Sequence, residues 1–277
     1  VVREGFIAVA RRAFHELEIA EFVTGSEPGN EWPSIDLIES MAPSDKPLSH
    51  HQIGAMIIAT NMDHVSCLQG SPGVGKTFCV AAIVKAVIAR FGSDSIAVCA
   101  PTGKAAVRVA QSMQANGVDL SASTIHRLLQ VEGEGGDGWS FHFNDQNPLP
   151  YRFLIIDESS MIDVDLLASL LRACTPSTHV LFFGDTGQLA PVGHGRPFYD
   201  LQQCVPTGKL TEIRRNSGRI VKACAEIRDH NKISFSEKLD IDGGENLILI
   251  QCSDEDQPQI LEQLIWKIER MMVEHEQ

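Results

Sequence analysis

The chain has 277 residues, of which 43% are apolar and 21% charged, with a formal net charge of −13. That length fits one large α/β domain with a smaller companion, or two modest domains, and no apolar run is long enough to cross a bilayer as a helix, so no membrane partner is expected. The acidity does not exclude a polyanion partner, because residues 232–277 (11 acidic, 4 basic) and 1–47 (9 acidic, 4 basic) carry most of it, while 48–231 hold 16 acidic and 15 basic residues.

Val1-Val2-Arg3 is neither a start Met nor a signal peptide and reads as the cut edge of a longer protein. Residues 1–24 are expected to be helical, with Phe6, Val9, Ala10, Ala13, Phe14 and Leu17 at three-to-four spacing. Gly25 to Pro47 is rich in Gly, Pro, Ser and Asp and reads as a linker, broken by a short periodic piece near Ile35–Ile38. From Leu48 short apolar strands alternate with amphipathic helices. Strands are expected near 65–69, 96–100, 153–157 and 179–183, and helices near 50–61, 76–91, 103–116 and 163–174. Such alternation implies a parallel sheet covered by helices on both faces. Val131–Pro150 breaks the rhythm: it is Gly-rich, then alternates aromatic and polar in Trp139-Ser140-Phe141-His142-Phe143, as a hairpin strand does. A helix near 217–230, a strand near 247–251 and a helix near 256–275 complete the chain. The seven scattered cysteines show neither a CxxC pair nor zinc spacing and suggest reduced thiols in a cytoplasmic protein.

Gly70-Ser71-Pro72-Gly73-Val74-Gly75-Lys76-Thr77 lies between an expected strand and an expected helix, the context a phosphate-binding loop requires. Gly73 and Gly75 let backbone N–H groups face phosphates, and the helix N-terminus adds positive potential. Lys76 is expected to reach the β- and γ-phosphates of ATP and Thr77 to ligate Mg²⁺. Phe153–Ile156 runs into Asp157-Glu158 at what would be the carboxyl end of a buried strand. Asp157 suits the Mg²⁺ shell and Glu158 the activation of water, although either could cap the next helix. Gln188, in the loop after Phe182-Phe183-Gly184-Asp185, could bond both γ-phosphate and water, or belong to an ordinary turn. Ser49 and Gln52 form an S-x-x-Q capping box, and Gln52 could also read an adenine edge.

Seven segments then stand in order: LSHHQ at 48–52, GSPGVGKT at 70–77, APTGKAAVR at 100–108, TIHRLL at 124–129, LIIDESSM at 154–161, FFGDTGQLAPVGHG at 182–195 and LTEIRRNS at 210–217. Together they resemble superfamily 1B DNA helicases, most closely the RecD-like group (the exodeoxyribonuclease V α-subunit and its stand-alone relatives). The resemblance implies a P-loop NTPase, RecA-like α/β fold and a DNA helicase that hydrolyses Mg-ATP to move 5′→3′ on single-stranded DNA in repair and recombination. It implies Gln52 as adenine reader, Arg215 (or adjacent Arg214) as the motif arginine reaching the γ-phosphate, and Thr102, Lys104, Thr124 and His126 as DNA contacts. Read singly, Thr124 is a helix cap and His126 a half-buried histidine. The insert about 131–150 resembles the family's strand-separating pin, though its aromatics could merely pack on the main domain. The expected organisation is a helical N-terminal segment and linker (1–47), a first motor domain (48–216) and the truncated beginning of a second (217–277).

No match to the family's late motifs, including a further arginine, follows residue 217. Nucleotide binding with weak hydrolysis and no unwinding is therefore expected of this chain. The alternatives are a P-loop ATPase that remodels protein, which leaves TGKAA and TIHRLL unexplained, and an ATP-binding subunit of a nuclease-helicase complex.

Overall fold

The computed structural model describes residues 2–3, 6–7, 10–25, 32–60, 63–135, 138–212, 219–230, 232–237 and 247–275. Two compact units divide the chain, Val1–Arg215 and Asn216–Gln277.

In the first unit, β1 (Val2–Arg3) and β2 (Phe6–Ile7) pair antiparallel, and α1 (Ala10–Thr24) follows. The helix expected over 1–24 thus starts only at Ala10, after a two-residue ladder that pairs Val2 with Ile7 and Arg3 with Phe6. The expected linker also differs. Ser34 caps α2 (Ile35–Ser40), and Trp32 and Ile38 are buried in the main core. Arg90 Nη1 donates to the Trp32 carbonyl at 3.3 Å, tying this segment to the sheet domain. Its Gly/Pro content masked an apolar anchor.

The sheet domain then unfolds in order: α3 (His50–Ala59), β3 (Val65–Gly70), α4 (Lys76–Phe91), β4 (Ile96–Ala100), α5 (Gly103–Ala115), β5 (Ala122–Thr124) and α6 (Ile125–Leu129). A hairpin of β6 (Val131–Gly135) and β7 (Gly138–Phe141) comes next. β8 (Phe153–Ile156), α7 (Val164–Arg172), β9 (His179–Gly184), α8 (Pro197–Leu201) and β10 (Thr207–Leu210) complete it. The six-stranded sheet runs β10-β3-β9-β8-β4-β5, every neighbouring pair parallel.

The continuous apolar runs of these strands follow from burial on both faces. Phe153 and Ile155 of β8 enter one core with Ile83 and Val87 of α4, whereas Leu154 and Ile156 enter the other with Leu167 and Leu171 of α7. The period of two along a strand makes that division. Against the second core, α1 is held to α7 by a paired contact: Arg172 Nε and Nη2 donate to Glu18 Oε1 and Oε2 at 3.1 and 2.7 Å. At the β10 edge α3 lies so close that a Cβ on Gly208 would meet the Ala55 carbonyl oxygen at 2.0 Å, so only glycine fits there.

In the second unit α9 (Arg219–His230) and α10 (Gln257–His275) match the expected helices. The strand expected near 247–251 is reduced to a single parallel bridge between Ser236 and Ile248. Among the described residues no helix is long and apolar enough to cross a membrane, and the cysteines form no disulfide.

Candidate functional site

The phosphate loop leaves the carboxyl end of β3 and turns into α4 at Lys76. Gly75 caps that helix at φ +88°, a left-handed conformation natural to glycine, and a Cβ there would also meet Gln52 Nε2 at 2.7 Å. Lys76 Nζ donates to the Gly70 carbonyl, folding the ammonium over the loop.

Gln52 does two jobs. The capping box is complete: Ser49 Oγ accepts from the Gln52 N–H at 3.2 Å, and Gln52 Oε1 accepts from the Ser49 N–H at 3.1 Å. Gln52 Nε2 donates to the Val74 carbonyl at 3.4 Å, which joins the cap to the phosphate loop. An amide group has two lone pairs and two N–H donors, so one acceptor and one donor position remain for a base edge.

A cleft of about 850 Å³ opens over the carboxyl ends of the strands, lined by Gln52, Gly73, Gly75, Lys76, Thr77, Asp157, Glu158 and Gln188. Parallel sheets bind ligands at that edge. Burial pushes the Asp157 carboxyl up, a like-charged Glu158 adds to this, and a hydrogen bond from the Glu158 N–H to Asp157 Oδ1 at 2.9 Å, with the charges of Lys76 and Arg108, opposes it. Glu158 adopts φ +51°, unusual for a side-chain-bearing residue, and its Oε2 is buried with no hydrogen-bond partner among the described residues. A positive-φ backbone together with an unsatisfied carboxylate oxygen marks Glu158 as a candidate ligand-site residue. The Gln188 loop is tied to the phosphate-loop strand through Gln69 Nε2, which donates to Thr186 Oγ1 at 2.7 Å.

The Thr77 hydroxyl and the Asp157 carboxylate are hard oxygen donors that suit Mg²⁺, which takes one or two protein ligands and completes its shell with water and phosphate. No group of three His, Cys, Asp or Glu side chains forms a metal cage among the described residues, and such a Mg²⁺ needs none.

The four DNA-contact candidates lie off the cleft. Thr102 caps α5, accepting from the Ala105 N–H at 3.2 Å, and Thr124 caps α6, accepting from the Arg127 N–H at 3.1 Å. Ala100 pairs with Thr124 across β4 and β5, so the two caps share one edge of the sheet. Each hydroxyl keeps its proton for another acceptor. Lys104 is exposed in the first turn of α5. His126 is half-buried, with its ring 5.5 Å from Trp139 and 6.0 Å from Phe141. The helix that carries it is thereby pinned to the hairpin. Arg214 and Arg215 lie outside the described residues.

Among the cleft residues to which the sequence assigns no role are Arg108, Lys46 and Phe78. Lys46 Nζ sits 5.2 Å from the centre of the Phe78 ring. A charge on a helix ordinarily marks a solvated face, so only the folded arrangement reveals Arg108.

A phosphate loop and an acidic strand end sharing one cleft on an all-parallel sheet define a P-loop NTPase. The chain belongs to the AAA_19 family, described as an AAA domain, which matches residues 52–194. Within that class it is similar to RecD proteins. It is 42% identical over 152 residues to the ATP-dependent RecD2 DNA helicase of Deinococcus radiodurans, covering 55% of this chain and 20% of that protein. It is 37% identical over 153 residues to the RecBCD enzyme subunit RecD of Mycobacterium tuberculosis, covering 50% of this chain and 26% of the relative. The chain thus spans about a quarter or less of the length of these relatives. The crystal structure of Pif1 helicase from Candida albicans shares the fold, with a TM-score of 0.50 and 24% identity over 68% of this chain and 45% of that one.

Proposed function

We propose that this chain is the nucleotide-binding half of an ATP-dependent motor that moves along single-stranded DNA, 5′→3′ as in the helicases it resembles. The observation that carries this reading is the convergence of Lys76, Thr77, Asp157, Glu158 and Gln188 on one cleft, beside two capping threonines on a neighbouring edge. Mg²⁺ on Thr77 and Asp157 would neutralise charge on the phosphates. Glu158 then takes a proton from the attacking water, Gln188 orients that water, and Gln52 reads the base. Arg215 supplies charge to the γ-phosphate as the motor closes.

The free protons of Thr102 and Thr124 and the ammonium of Lys104 suit strand phosphates. His126, in contact with Trp139 and Phe141, braces the hairpin against that edge, where it would act as a pin. Residues 217–277 are read as the opening of the second motor domain, so turnover by this chain is expected to be weak and unwinding absent. Reduced buried thiols fit a cytoplasmic protein.

A second reading, an ATP-binding subunit of a nuclease-helicase complex, is favoured by the similarity to a protein named as a RecBCD subunit. The test is fluorescence anisotropy of an oligo-dT strand and of a fluorescent ATP analogue at low salt, where phosphate contacts are strongest, with ATP turnover measured alongside. Binding of both ligands is the expected result. Nucleotide binding without strand binding would refute the DNA motor and leave a different P-loop ATPase.

A further inference from the structure

α5 turns one face to the nucleotide cleft: Ala105, Arg108, Val109 and Ser112 all line it. Their spacing of three and four residues is that of a single helix face. Lys76 and Thr77, in the first turn of α4, line the same cleft, as do Asp157 and Glu158 beyond the end of β8. Two cations from two different helices therefore share a cleft with two carboxylates.

Four arginines near the sheet are already engaged. Arg172 is paired with Glu18, Arg90 donates to the Trp32 carbonyl, Arg152 lies over Phe91, and Arg196 lies over Tyr199. Arg108 is exposed to the cleft and makes no hydrogen bond or ion pair among the described residues. A guanidinium that lines the same cleft as two carboxylates and pairs with neither is open to a different anion. In a cleft that takes a nucleotide, that anion is the terminal phosphate. The planar fork of arginine matches phosphate oxygens two at a time, which an ammonium does not.

We propose that Arg108 is a γ-phosphate ligand supplied by α5, acting on the terminal phosphate from the wall of the cleft that α4 does not provide. The proposal rests on the ATP reading above. It gives α5 an arginine for sensing ATP against ADP, distinct from Arg215. Charge that builds on the γ-phosphoryl oxygens during transfer would be stabilised by it.

The test compares a fluorescent ADP with a β,γ-imido ATP analogue by anisotropy in Mg²⁺, using the whole chain. Arg108→Ala is expected to weaken the analogue about tenfold and ADP less than about twofold, the size expected of one lost charged contact. Arg108→Lys should recover part of the loss, because it keeps the charge but not the fork. Thermal melting checks that both variants fold, and if Arg108→Ala does not, the same comparison is made on Arg108→Lys alone, with a smaller selective loss expected. Equal weakening of both nucleotides would make Arg108 a wall residue and overturn the proposal. No change in either would overturn it too, as would a loss confined to oligo-dT binding. If the unaltered chain binds neither nucleotide, the ATP reading itself falls, a result distinct from any of these.

Discussion

Glu158→Gln is expected to separate hydrolysis from binding. The glutamine has the same shape and must accept the same left-handed backbone, φ +51°, so the fold is asked for nothing new. What disappears is the basicity of Oε2, the buried oxygen that no described residue satisfies. A positioned general base contributes about 100- to 10,000-fold, which is about 2.7–5.4 kcal/mol in the barrier at roughly 1.36 kcal/mol per tenfold. The proposed binding groups are the loop N–H groups and Lys76, so the affinity for ATP should change by less than about threefold. The phenotype is slow turnover at normal affinity, read by a coupled ATPase assay with saturating oligo-dT and by anisotropy of a fluorescent nucleotide. Because the basal rate is expected to be weak, single-turnover phosphate release is the more sensitive readout. Turnover within about threefold of the unaltered chain would show that Glu158 is not the base. So would a loss that follows an equal loss of affinity.

Gly75→Ala forces a side chain into φ +88° and against Gln52 Nε2. The left-handed conformation alone costs about 1–2 kcal/mol, and nucleotide affinity should fall by at least about tenfold in calorimetry while the melting temperature drops. Arg172→Ala removes a two-point contact to a half-buried Glu18. After allowance for solvent screening, about 1 kcal/mol of stability should be lost in urea denaturation, and a double-mutant cycle with Glu18→Ala should show that the two losses are not additive. Burial lowers the pKa of His64, against raising effects from the Phe22 backbone and the charge of Asp63; the rings of Phe22 and His179 pack beside it at 5.6 and 6.5 Å. The folded state therefore resists a proton that the unfolded chain takes up. Stability should be full above about pH 6.5 and fall as the pH drops towards the lowered folded value. Urea midpoints at pH 7.5 and 5.5 should differ less in His64→Phe than in the unaltered chain.

The central elements were readable because strands buried on both faces appear as unbroken apolar runs. β4 falls on residues 96–100 and α4 on 76–91, as their patterns require. β5 and β10 escaped notice because they have three and four residues with polar side chains among them, too short for any period. The expected linker failed for a related reason: its composition outweighed Trp32 and Ile38, two residues whose burial depends on α4 being nearby. The chemical residues were legible where the backbone dictates them, in the glycines of the loop and the carboxylates at a strand end. The packing of His126 against Trp139, and the presence of Arg108 in one cleft with Asp157, depend on which elements become neighbours, which local patterns do not encode.

α5 carries residues of both proposed sites. Thr102 caps its first turn at the edge shared with Thr124, and Arg108, six residues on, lines the nucleotide cleft. At 1.5 Å per residue the two are about 9 Å apart along one helix, a length over which a packed helix moves as a body. A phosphate held by the Thr102 hydroxyl and a γ-phosphate held by Arg108 would then act on the same element. Coupling of this kind is reciprocal: the factor by which oligo-dT tightens the ATP analogue must equal the factor by which the analogue tightens oligo-dT. If α5 carries it, Arg108→Ala should bring both factors towards one while leaving oligo-dT affinity without nucleotide unchanged. A coupling factor that survives the substitution would move the connection elsewhere, with the Gln69–Thr186 hydrogen bond beside the Gln188 loop as the next element to test.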